Sequence, residues 1–100
     1  MRTFTMYRRE IPTETHDENQ RNEPDEPQFE GVVFSDGRVA VRWLTTKRSV
    51  SVWDCMEDLL AIHGHPEYGS ILVWHDKDSV MEEVANIMPQ VEKARKLLNP

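Results

Sequence analysis

The sequence has few of the features that announce a mechanism. It holds one cysteine, Cys55, in 100 residues. A lone thiol excludes an intrachain disulfide and any zinc site built on several thiolates. A chain without disulfides suits a reducing compartment. No apolar run approaches the ~20 residues of a membrane span, and "MRTFTMYRRE" offers no apolar core for a signal peptide. A soluble cytoplasmic protein, with no membrane partner, is therefore expected. The chain also lacks a Walker motif and a GxGxxG loop, and no GxSxG elbow surrounds Ser35. Bases are outnumbered, 12 against 18 acids, for a formal charge of −6. A broad basic face for gripping phosphates is not implied, so nucleic acid is not the expected partner.

The apolar fraction, 38%, is low for a compact domain, so part of the chain is expected outside the core. That part is "IPTETHDENQRNEPDEPQF", 11–29, which carries three prolines and six acids and no aliphatic or aromatic residue between its ends. Such a segment cannot offset its ordering entropy by burial and reads as an acidic flexible loop.

The remainder alternates. "TFTMYRRE" is a short strand with Phe4, Met6 and Arg8 on one face. "EGVVFSDGRVAVRWL" is a hairpin, with Asp36-Gly37 predicting a type I′ turn. "SVSVW" adds a third strand of the meander, with Val50 and Val52 sharing a face. Asp54 is expected to cap a helix with Glu57 three residues on, and Gly64 to close it in the left-handed conformation. "SILVW" is an unbroken apolar run and predicts a strand buried on both faces. The tail is helical in composition. Val80, Val84, Ile87, Val91, Ala94 and Leu98 form a heptad-like stripe, and Pro89 predicts a kink. The stripe suits either a homodimer through 78–98 or packing on the protein's own sheet.

The fold class is therefore α+β, a mainly antiparallel four- or five-stranded sheet with one packed helix and a C-terminal helix. Residues 1–76 form the domain and 77–100 a helical extension. The expected core is Val32 or Val33, Val39, Val41, Trp43, Val50, Val52, Leu59, Leu60, Ile62, Ile71 and Val73.

Three of the four histidines lie in "AIHGHPEYGSILVWHD", 61–76. Imidazoles are good zinc ligands, and His63, His65 and Asp76 are the residues a metal site would use. Against this, His63 and His65 flank a helix end, and the intervening strand should carry His75 and Asp76 to the other end of the sheet. The simpler reading has His63 capping helix carbonyls and His65 ordering the turn. Cys55 sits at a helix start, yet Asp54, Glu57 and Asp58 oppose a thiolate. The best binding candidates are Arg38, Arg42 and Arg48 with Trp43 and Trp53, a set that can combine charge with stacking. No cofactor is expected.

"EGVVFSDGRVAVRWL", "SVWDCMEDLLAIHGH" and "ILVWHD" resemble a family of small proteins of unknown function from tailed phages and prophages of actinobacteria and haloarchaea. Its pattern is EGVxFSDGxVAxRWL, then HGH, then VVWxD, and the resemblance runs from about Thr3 to Asp76. The acidic loop and Pro66-Glu67 depart from it. The resemblance implies a phage accessory protein expressed in a host cytoplasm, and supplies no mechanism. Two function classes follow. One is a non-enzymatic binding module whose partner is a host or phage protein. The other is a small metal-dependent or nucleotide-processing enzyme. The lack of a convergent base, nucleophile and oxyanion set favours the first.

Overall fold

A computed structural model describes residues 1–76 and 81–87. Six strands form one antiparallel sheet: β1 (Arg2–Arg8), β2 (Phe29–Val33), β3 (Val39–Trp43), β4 (Val50–Trp53), β5 (Ser70–Trp74) and β6 (Met81–Glu83). Their order is β4-β3-β2-β1-β5-β6. The α+β class holds, but the sheet has six strands rather than four or five. One helix, α1 (Met56–His63), crosses a single face, and residues 84–87 begin a second helical segment.

The N-terminal strand lies inside the sheet. β1 pairs with β2 (Phe4 opposite Gly31) and with β5 (Phe4 opposite Trp74). Strand parity then decides what is buried. Phe4, Met6, Phe29, Val39, Val41, Leu72 and Trp74 point under α1 and meet Leu59, Leu60 and Val84. Each such side chain contributes roughly 1.5–3 kcal/mol by leaving water. Gly31 is required here by a close approach: a Cβ at this position would collide with the Phe4 ring and the Ala40 carbonyl.

Alternation alone mis-sided the edge strand. Val50 and Val52 are exposed, at 69% and 66%, because no described residue covers the outer face of β4. Ser51 and Trp53 point inward instead. Ile62 is also exposed. In β5 the buried set is Ser70, Leu72 and Trp74, with Ile71 and Val73 only half-buried on the outer face. This strand alternates and is not buried on both sides. Val33, not Val32, packs against the core.

Local signals were also redistributed. Among the described non-glycine residues only His65 has positive φ, so the Asp36-Gly37 turn is not type I′. Gly37 takes φ 92° after a turn closed by its N–H donating to the Phe34 carbonyl at 2.9 Å, a three-residue hairpin with a glycine bulge. The N-cap of α1 is Cys55, and no side chain caps it. Asp54 is drawn away toward Arg38, 3.9 Å distant. Gly64 keeps right-handed φ −71°. A Cβ there would press on the Leu60 carbonyl and on Val84, so the site needs glycine for space. The left-handed step falls one residue later, on His65.

The tail departs from helix at Met81–Glu83, which pairs with β5. Val84 is fully buried in the core and Ile87 packs beside it. The rest of the stripe and the Pro89 kink lie outside the described residues. The acidic segment is tied down by polar side chains. Asn22 donates to the carbonyls of Pro27 (2.8 Å) and Leu44 (3.0 Å). Buried Gln28 donates to the Gln20 carbonyl at 2.8 Å.

Candidate functional site

One end of the sheet gathers the residues with chemistry to offer. The register places Met6 opposite Phe29 and Phe29 opposite Trp43, and Arg8 opposite Ser70. α1 runs back toward this end and delivers His63, and the turn that follows delivers His65 and Tyr68. The β3–β4 connection supplies Thr45, Lys47 and Ser49. His16 and Gln20 of the acidic segment form the last wall. Between them lies a cleft of about 380 Å³, within the range of small-ligand sites.

Arg8 lies deepest. It is 5% exposed, because its parity puts it on the same face as Phe4 and Met6. One terminal nitrogen donates to the His63 carbonyl at 2.7 Å, at the negative end of α1. The guanidinium carbon sits 5.7 Å from the ring centres of both Phe29 and Tyr68, an arrangement that favours a cation. Nε is buried with no hydrogen-bond partner. Among the described residues Arg8 forms no ion pair. Burial, only partly offset by Tyr68 and Glu67, brings its pKa down to about 10.

His63 does not cap carbonyls with its ring. The ring stands edge-on to Trp43 (4.9 Å) and Trp53 (5.4 Å). Burial first, and then the charges of Arg8 and His65, push its pKa below the ordinary histidine value. The shift favours the neutral imidazole. His65 adopts φ 42° and ψ 66°, a conformation that costs a non-glycine residue of order 1 kcal/mol or more. The surroundings hold it there. Its carbonyl accepts from Ser70 Oγ at 2.8 Å. Nδ1 meets Glu67 at 2.8 Å. Its ring stacks on Tyr68 at 4.7 Å and 11°.

The five binding candidates from the sequence do not form one surface. Trp43 and Trp53 belong to the inner face, where Trp43 lines the cleft and Trp53, paired with Val39 nearer the other end, reaches it only through the His63 ring. Arg42 is on the outer face, 3.5 Å from Glu30. Arg38 is engaged by Asp36 at 2.8 Å. Arg48 is exposed in the β3–β4 connection. The metal set is likewise split. His63 and His65 are neighbours, but Asp76 pairs with Arg2, roughly 20 Å along β1 from Arg8 at ~3.3 Å per residue. Among the described residues no three His, Cys, Asp or Glu side chains are grouped to hold a metal. Cys55 is at the opposite end of α1 from His63, and burial raises its thiol pKa.

Sequence reasoning left Arg8, Tyr68, His16 and Lys47 out of the site. The signal for Arg8 was present: the Phe4-Met6-Arg8 alternation already pointed a guanidinium inward.

The cleft holds hydroxyls, amides, imidazoles, an indole, the buried Arg8 and the exposed Lys47, an inventory for recognition by charge, hydrogen bonds and stacking. No helix among the described residues is long and apolar enough to cross a membrane. No curated protein and no solved structure matches the chain. Residues 29–76 match the model of a family described as Acb5 phage protein, a span that includes Trp43, His63 and His65, and this match supports a phage protein family.

Proposed function

We propose that this protein is a non-enzymatic phage accessory protein, of the tailed phages its sequence resembles. It acts in the host cytoplasm as a binding module, and the cleft around Arg8, Trp43 and His63 is its recognition surface. The observation that carries this reading is the Arg8 guanidinium. Its burial costs several kcal/mol unless a partner completes it, yet it sits at a cleft with no ion pair among the described residues. The lowered His63 pKa and the constrained His65 turn are further support, since strain and perturbed protonation concentrate where molecules are recognised.

The test is native mass spectrometry of the protein purified from phage-infected cells, comparing wild type with two surface variants. Lys47→Glu alters the cleft mouth, and Arg42→Ala alters the opposite face. A bound species retained by wild type and by Arg42→Ala, and lost from Lys47→Glu, is the expected outcome. A species lost only from Arg42→Ala would move the recognition surface to the outer face and end this reading.

A further inference from the structure

The charge around the cleft narrows what it takes. In a chain of net charge −6, the cleft is lined by Arg8 and Lys47 and, among the described residues, by no Asp or Glu. The neighbouring hollow on the other side of Arg8 is different, with Glu10, Glu18 and Glu23 beside its arginines. Glu67, whose charge is felt by Arg8, is turned toward His65 Nδ1 at 2.8 Å and forms no ion pair with Arg8. A net charge of −6 repels anions over most of a surface, and this cleft is built the other way.

Resting on the binding-module reading, we propose that the cleft is an oxyanion site that takes a small phosphate ester carrying a planar ring. Arg8 and Lys47 hold the phosphate oxygens. Guanidinium suits that geometry, because its planar nitrogens match the spacing of phosphate oxygens and its charge is lightly hydrated. Ser49 offers a hydroxyl at the rim, while the buried Thr45 hydroxyl donates to the Lys47 carbonyl at 3.2 Å and orders the connection that carries Lys47. The ring lies against Trp43, whose inner face is already ordered by Phe29 at 4.6 Å and by His63, so little side-chain entropy is lost on binding. A carboxylate on a planar ring shares the oxyanion chemistry with less charge, and the assay separates the two.

The experiment follows backbone amide shifts during titration with four probes: adenosine 5′-monophosphate, adenosine, inorganic phosphate and benzoate. The nucleotide is expected to shift residues 45–49, Arg8 and His63 with a dissociation constant below ~1 mM. Adenosine and benzoate are each expected to bind at least ~10-fold more weakly, the loss of one charge-assisted contact. Inorganic phosphate is expected to shift Arg8 and Lys47 but not the Trp43 indole. Lys47→Glu, an exposed position whose change leaves the core intact, is expected to weaken the nucleotide by ~10-fold or more with an unchanged melting temperature. Nucleotide binding no tighter than adenosine, or undiminished in Lys47→Glu, overturns the proposal. So does benzoate binding as tightly as the nucleotide. If every probe fails while Lys47→Glu still loses the species retained from infected cells, the cleft remains the recognition surface and only the ligand class is wrong.

Discussion

The two ends of β1 carry the same residue types and treat them in opposite ways. At one end Arg2 lies over the Trp74 ring, 3.8 Å from its centre, and Asp76 accepts from two of its nitrogens. The neighbouring His75 uses both ring nitrogens, on the hydroxyls of Thr3 and Thr5. At the other end Arg8 lies over Phe29 and Tyr68 with no ion pair among the described residues, and His63 is packed edge-on between two indoles. Both arginines are on the same face of the same strand, six residues apart. The first cluster is closed and half-exposed. The second is buried and leaves the Arg8 Nε donor without a partner among the described residues. Structural needs are met at the Arg2 end by residues within the chain, whereas the Arg8 end keeps unmet hydrogen-bonding capacity beside a cleft. That contrast is the physical basis for placing recognition at one end.

The largest test of the contrast is Phe29→Ala. Phe29 is fully buried, supports the Trp43 ring and offers its face to Arg8. Its removal should cost about 3–5 kcal/mol in urea unfolding, as expected for a buried aromatic, and should loosen the cleft at the same time. A loss below ~1 kcal/mol would mean that this end of the core can collapse around the gap, and that Arg8 is not held by it.

Next comes Arg8→Met. A flexible apolar side chain of similar length removes a buried charge that lacks an ion pair among the described residues. Stability should hold or rise, by up to ~1–4 kcal/mol, because the desolvation of the guanidinium is relieved. Phosphate-ester binding should vanish together with the charge. A fall of more than ~2 kcal/mol would show that the His63 carbonyl and the aromatic faces already satisfy Arg8, and the two ends of β1 would then be equivalent.

Much of this architecture was legible in the sequence. The strands followed from alternation, the hairpin from Asp36-Gly37, and the separation of Asp76 from His63 and His65 from the length of "SILVW". What failed did so for definable reasons. Alternation identifies two faces but not which one is covered, so Val50 and Val52 were placed inside while Ser51 and Trp53 occupy that side. "MEE" consists of good helix formers, and only the open edge of β5 makes it a strand, a tertiary effect that overrides local preference. The acidic segment was read by its lack of apolar anchors, and its anchors are amides: Asn22 and Gln28. The site was half-visible. Trp43 and the two histidines stood out as residue types, but Arg8 acquires its meaning from burial, and burial depends on β1 lying between β2 and β5, a pairing that no local pattern specifies.

The histidine at the cleft end should also titrate against stability. Burial lowers the His63 pKa, so the folded state resists protonation more than the unfolded chain, whose value is ~6.5. Above that pH both states are neutral and nothing is lost. As pH falls from ~6.5 toward the folded value, the unfolded chain takes up the proton first and stability declines. Glu67 is lowered although burial opposes it, because His65 donates to its charged form, and Asp76 is lowered by Arg2. Their contributions are present above the ordinary carboxylate range and are lost only at more acid pH, as those groups protonate. Thermal melts between pH 7.5 and 5 should therefore show a decline that His63→Gln reduces. An identical decline in the variant would assign it to other groups.

The smallest effect belongs to the closed end. Arg2 and Asp76 are both substantially exposed, and an exposed ion pair is screened by solvent and salt. Asp76→Asn should shift the melting temperature by no more than about 2 °C, with the shift disappearing near ~1 M salt. It should leave phosphate-ester binding untouched, since the pair lies at the other end of β1 from the cleft. The informative failure is a large loss of binding in this variant with a normal melt. That result would couple the two ends through β1 and β5, and the recognition surface would then extend along the strand, with Arg2 and Trp74 taking part alongside Arg8 and Trp43.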